Sequence, residues 1–214
     1  MSTTLQLGVL ASGRGSNFAA ILDAISQNKL DAKVKVLISN KQKAGALEIA
    51  AKHNIPAVFV SQKKFSDPAS FDGEVSRTFE EYEVDFVVLA GYLRLLSQKF
   101  VRRYKNRILN IHPALLPSFG GQGMYGHHVQ EAVLGRGCKV SGVTVHLVDE
   151  LFDHGPIVKQ RCVPVLETDS ADSLAARVLV QEHQVFAEAL QLFAENRVEI
   201  ENHRAIILPG KEKN

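Results

Sequence analysis

The run Leu5-Gln6-Leu7-Gly8-Val9-Leu10-Ala11, followed by Ser12-Gly13-Arg14-Gly15-Ser16-Asn17 and then Phe18-Ala19-Ala20-Ile21-Leu22, reads as strand, loop and helix in that order. The first seven residues are a continuous apolar strand. From Asn17 to Ser26, Phe18, Ile21, Leu22 and Ile25 fall on one helical face. The same unit then repeats. Val34 to Ser39, Ala57 to Val60 and Asp85 to Ala90 read as strands. Ala44 to His53, a segment within Pro68 to Tyr82, and Ser97 to Tyr104 read as helices. Strands apolar on both faces that alternate with helices predict a parallel sheet covered on each side. The expected class is α/β, a Rossmann-like, mostly parallel sheet flanked by helices.

The second half changes pattern. Pro117 to Gly126 is a Gly-rich loop, with a helix expected near His128 to Leu134. Val140 to Val148 alternates, with Val143, Val145 and Leu147 on one face and Thr144, His146 and Val148 on the other. Ile157 to Val163 reads as its partner, Ser173 to Phe193 as a long amphipathic helix, and Val198 to Glu201 with Ala205 to Leu208 as a terminal hairpin. No linker separates the halves. One domain over residues 1–208 is expected, with a frayed tail over 209–214.

Arg107 to His112 reads as a short buried strand stopped by Pro113. Alternation places Asn110 and His112 on one face, at the strand's C-terminal end, where open α/β sheets bind ligands. Asp153-His154-Gly155-Pro156 begins 41 positions after His112. An amide donor and an imidazole can stabilise and protonate a developing oxyanion. A carboxylate folded back onto the imidazole would raise its pKa above the ordinary value of about 6.5. The pattern points to carbonyl-group chemistry.

Composition narrows the classes. A net charge of +2 does not imply nucleic acid, and no apolar run approaches a membrane span. Met1-Ser2-Thr3-Thr4 lacks a basic n-region, so no signal peptide is read. Cys138 and Cys162 need no oxidising compartment, and the expected place is the cytoplasm, the alternative being a compartment whose targeting peptide is not in this sequence. The histidines and cysteines lack a zinc spacing, so no metal is called for.

Gly13-Arg14-Gly15-Ser16-Asn17 joins a strand to a helix N-terminus, which offers free N–H groups to an anion. A dinucleotide fingerprint needs glycine where Phe18 stands and an acid where Ser39-Asn40 stand; a Walker loop needs Gly-Lys-Ser/Thr. The loop therefore suits a small phosphate monoester. The plainer alternative is a tight turn in which Ser16 or Asn17 caps the helix.

Taken in order, these pieces resemble the phosphoribosylglycinamide formyltransferase family over nearly the full chain. The motifs are Gly13 to Asn17, Ser39-Asn40-Lys41, Leu89 to Leu96, Leu109 to Pro117, Val143 to His146, Asp153 to Pro156 and Gln181-Glu182-His183. The resemblance implies formyl transfer from 10-formyltetrahydrofolate to the amino group of glycinamide ribonucleotide in purine biosynthesis. It makes Asn110, His112 and Asp153 the catalytic trio and Gly15, Ser16 and Asn17 the phosphate loop. It assigns Glu182 to the ribose, and Leu93, Arg94, Leu95 and Leu96, with Asn110, to the folate. It implies no nucleic-acid or membrane partner and leaves monomer and homodimer open. The family often has a folate-contacting Arg at the start of the third helix, where Pro68 stands; Lys63, Lys64 and Arg77 are the substitutes considered.

Plainer readings compete. Asp153 can be a turn residue, Glu182 part of a solvated helix face, Leu93, Leu95 and Leu96 plain core, and His146 structural. His127 and His128 read as solvated loop or cap residues. Two relatives by chemistry reuse such a core. Formyltetrahydrofolate deformylase would carry an N-terminal regulatory domain, and methionyl-tRNA formyltransferase a C-terminal RNA-binding barrel. A non-catalytic nucleotide-phosphate module is the rival from another class.

Overall fold

The computed structural model describes residues 4–210, so the tail reading at Lys211 to Asn214 lies outside the described residues. A seven-stranded sheet forms the middle layer. Its first five strands are β1 (Leu5–Ala11), β2 (Ala32–Ser39), β3 (Ala57–Phe59), β4 (Phe86–Leu89) and β5 (Ile108–His112), all parallel. Then β6 (Val140–Leu147) and β7 (Ile157–Pro164) add antiparallel at one side. The order is β3-β2-β1-β4-β5-β6-β7. A two-stranded hairpin, β8 (Val198–Glu201) and β9 (Arg204–Ile207), stands apart as a second sheet.

Among the described residues six α-helices cover the sheet: α1 (Ser16–Ser26), α2 (Gly45–Lys52), α3 (Pro68–Glu81), α4 (Gln98–Arg103), α5 (His127–Gly135) and α6 (Ala171–Ala194). Apolar burial divides into two cores, one per face of the sheet. Phe18, Ile21, Val129, Val133, Leu174, Val178 and Phe186 pack on one face against Leu7, Val9, Leu109 and Val145. Phe71, Val75, Phe79 and Phe100 pack on the other against Leu10, Val36, Val87 and Ile108. Local signals fix the helix ends. Asp67 caps α3 through Ser70 N at 2.8 Å, with Pro68 in the first turn, and Ser170 and Ser173 make a reciprocal capping box on α6. Expected elements all appear, with ends shifted by one or two residues. No helix among the described residues is long and apolar enough to cross a membrane.

Strand order reverses between β1 and β4, and this opens a crevice beyond the strands' carboxyl ends. The segments leaving β1, β4 and β5 all enter it. β1 itself is held close to α3: a Cβ built on Gly8 would meet Phe79 Cε1 at 2.7 Å and Val84 Cγ1 at 2.8 Å. Gly8→Ala is therefore expected to destabilise by about 1–3 kcal/mol, as overpacked cores do. Urea unfolding measures this, and a loss under about 0.5 kcal/mol would show that the β1–α3 contact is not tight.

Candidate active site

The crevice holds a cavity of about 650 Å³ lined by the phosphate loop, the exit of β4, the exit of β5, the Gly-rich loop and the loop before β7. That volume suits a substrate-sized ligand. Of the expected site residues, Ser16, Asn17, Leu93, Arg94, Leu95, Leu96, Asn110, His112, Asp153 and Glu182 line it, while Gly15 does not and lies just behind the wall, between the lining residues Arg14 and Ser16.

Register builds the centre. In the antiparallel β5–β6 pairing Asn110 lies opposite His146, and His112 opposite Thr144. Asn110 Nδ2 is 3.1 Å from His146 Nε2, while His146 Nδ1 is 2.9 Å from the Leu147 carbonyl. His146 is thus part of the site, and its reading as merely structural is incomplete. Alternation put it on one face with Thr144, but its place beside Asn110 follows only from the β5–β6 register. Thr144 braces the next layer: its hydroxyl donates to the Ala114 carbonyl at 2.7 Å and accepts from Leu116 N at 3.0 Å.

Asp153 stands in the left-handed region, at φ 49°, and turns its carboxylate inward. Oδ2 accepts from Gly121 N at 2.9 Å and lies 3.5 Å from His112 Nδ1. Oδ1 lies 3.6 Å from His146 Nε2. The expected approach of Asp153 to His112 is present, though beyond ordinary hydrogen-bond length. The expected rise of the His112 pKa is not. His112 is 3% exposed, and burial pushes its pKa below the ordinary value. Asp153 and the Phe119 carbonyl, 2.8 Å from Nε2, offset that only in part. Burial also pushes the Asp153 carboxyl up, but His146, His112 and the Gly121 N–H together hold it below its usual value.

At the phosphate loop, Gly15 is the residue before α1, with φ 86°, and no side chain caps the helix. The capping roles expected of Ser16 and Asn17 are therefore not filled; both lie inside the first turn. The first N–H groups of α1 remain available to an anion. Asn17 instead donates through Nδ2 to Glu182 Oε2 at 2.7 Å. Glu182 is 9% exposed, not a solvated helix residue, and burial pushes its carboxyl up. Its spacing carried the signal: it occupies the stripe Leu174, Val178, Glu182, Val185 on the buried face of α6. Ser12 ties the loop together, donating to Asn40 Oδ1 at 2.8 Å and accepting from Leu93 N at 3.2 Å.

The opposite wall is apolar. Leu93 and Leu95 are 57% and 44% exposed and face the cavity, which plain core residues would not be. The Arg94 guanidinium lies 4.2 Å over the Phe71 ring. Lys63, Lys64 and Arg77 do not line the cavity, and Arg77 is engaged by Glu74 at 2.7 Å. Arg94 is the guanidinium at this wall. His127, 3.4 Å from Asp172, lines the rim; His128 pairs with Glu131 outside it.

Residues 5–190 match the formyl transferase family model. The chain belongs to that family. Among curated relatives it is 42% identical over 193 residues to the chloroplastic phosphoribosylglycinamide formyltransferase of Vigna unguiculata, covering 90% of this chain and 62% of that protein. It is 37% identical to the phosphoribosylglycinamide formyltransferase of Escherichia coli K12, covering 94% of this chain and 92% of that one. Among solved structures, glycinamide ribonucleotide transformylase 1 from Symbiobacterium toebii superposes with a TM-score of 0.92 at 40% identity, covering 96% and 95% of the two chains. The Rossmann-like class expected from the strand pattern holds, and so does the family resemblance.

The electrostatics give a direct check. Ring NMR should place the His112 pKa below 6.5, the value from which burial lowers it. Asp153→Asn keeps the shape but removes the charge that partly offsets burial, so the pKa should fall further. An unchanged value in the variant would show that the two do not interact. A folded-state pKa below the unfolded one means that protonation opposes folding. His112's contribution to stability is complete above about pH 6.5 and is lost as pH falls through that window.

Proposed function

We propose that this chain transfers the formyl group of 10-formyltetrahydrofolate to the amino group of glycinamide ribonucleotide, a step of de novo purine biosynthesis, and that it works in the cytoplasm. One observation carries the reading. A single crevice has a helix N-terminus for a phosphate at one end, an Asn–His–Asp group in the middle and an exposed leucine wall at the other. That order of chemistries matches a phosphorylated amine and a pterin meeting at a carbonyl.

In this reading the first turn of α1, with Gly15, Ser16 and Asn17, holds the phosphate, and Glu182 accepts from the ribose hydroxyls. Leu93 to Leu96 line the pterin. The amine lone pair attacks the formyl carbon, forming a C–N bond and moving the carbonyl pair onto oxygen. Asn110 N–H stabilises that oxygen, a donor worth roughly 3–4 kcal/mol of barrier, and the His112 ring adds its positive charge once it is protonated. Because burial keeps His112 neutral in the free protein, its proton comes from the new ammonium group rather than standing on the ring beforehand. Asp153, ionised near neutral pH, favours the imidazolium while the proton is in transit to the folate nitrogen. Cleavage of the carbon–nitrogen bond to that nitrogen releases tetrahydrofolate. The two cysteines are free, in keeping with a reducing cytoplasm.

The test offers 10-formyltetrahydrofolate with glycinamide ribonucleotide, with water alone, or with methionyl-tRNA. Turnover should require the ribonucleotide. Folate release without it would indicate a deformylase, and formylated tRNA would indicate the other rival. Gly15→Ala adds a second check. The residue has φ 86°, and a Cβ there would meet Ala46 Cα at 2.8 Å, so the loop must shift. The KM for the ribonucleotide should rise about tenfold or more while folate affinity stays within about twofold. Equal loss of both ligands would contradict the phosphate assignment.

A further inference from the structure

The loop that carries Asp153 also presents a cluster on its outer side that the formyl-transfer chemistry does not use. Asp149 Oδ1 accepts from Leu151 N at 2.9 Å, and Oδ2 lies 2.6 Å from His154 Nδ1. His203 reaches the same place from the β8–β9 turn. Its ring centroid is 4.7 Å from that of His154, with 39° between the planes. Its Nε2 lies 3.0 Å from the His154 carbonyl. One donor atom from each of Asp149, His154 and His203 falls within 4.8 Å of the other two. None of the three lines the active-site cavity.

We propose that Asp149, His154 and His203 form a surface site for a borderline divalent transition ion, with zinc as its ordinary occupant. Two imidazoles and a carboxylate are the donor set such ions select over magnesium or calcium. Bonds of about 2.0–2.2 Å to a common centre need donors roughly 3.3–3.6 Å apart, which small side-chain rotations reach from the present spacing. If His203 donates its Nε2–H to the His154 carbonyl, its other nitrogen keeps the lone pair, and a backbone carbonyl is a usual second partner of a metal-bound imidazole. Asn202 and His203 form the two-residue β8–β9 turn, both at positive φ, 46° and 65°, as a type I′ hairpin requires, and this fixes where the His203 ring leaves the hairpin. Three protein ligands leave the fourth position to water. No spacing rule reveals this site, because His203 is 49 residues from His154 and only the hairpin's placement joins them. The ion would clamp the terminal hairpin to the loop that holds Asp153.

Calorimetric titration of untagged, metal-stripped protein with zinc chloride should give one equivalent with a dissociation constant of about 10 μM or tighter. Cobalt should show the strong visible absorption of a tetrahedral site. His203→Asn, whose new residue tolerates the left-handed turn, and His154→Ala should each weaken binding about tenfold or more. His203→Asn should keep its metal-free formyl-transfer rate, which shows that the fold survives. Binding unchanged in either variant would put the ion elsewhere and overturn the proposal. So would affinity weaker than about 0.1 mM in the parent protein.

Discussion

The carboxylate of Asp153 is the constraint on which the rest of the site depends. It is mostly buried, with a side chain 12% exposed, and it faces two buried imidazoles at 3.5 and 3.6 Å. A charge so placed is costly unless its surroundings answer it. They do so through the Gly121 N–H and the two rings, which together hold the carboxyl below its usual value. The β5–β6 register supplies the rings, and the left-handed backbone at Asp153 aims the carboxylate at them. The Gly-rich loop closes the arrangement by lending its amide. Strand pairing, one strained turn and one loop amide are thus coupled through a single side chain.

The sheet explains why the segments that line the crevice meet. Parallel strands point their carboxyl ends the same way, so the segments after β1, β4 and β5 converge at the reversal of strand order. The segment after β1 ends on an uncapped helix N-terminus, that after β4 exposes leucines, and β5 ends on His112. Glu182 and Asn17 link α6 to α1 across the far side of this crevice. Burial pushes the Glu182 carboxyl up, so keeping its charge there costs stability that the Asn17 amide offsets only in part.

Much of this was legible in the sequence for physical reasons. The βα half announced itself because strands buried on both faces must be continuously apolar. Asn110 and His112 were legible because strand alternation and a following proline leave little freedom. Glu182 was harder: read by residue type it belongs to a solvated face, and only its place in the stripe from Leu174 to Val185 marks it as buried. His146 required the register between β5 and β6, which alternation alone does not supply. The capping expected of Ser16 and Asn17 failed because Gly15 takes the position before the helix and Asn17 turns to Glu182. Proximity to a carboxylate alone predicts a raised His112 pKa; the burial that outweighs it is set by tertiary packing and does not show in the residue pattern.

The central claim is that His112 and Asp153 act as one unit in formyl transfer. A double-mutant cycle on kcat tests it most directly, using His112→Ala, Asp153→Ala and the pair. Each single change should lower kcat by roughly 10²–10⁴, and the double variant should be scarcely slower than the worse single, because neither side chain contributes fully without the other. Losses that multiply across the two positions would show independent roles and contradict the account.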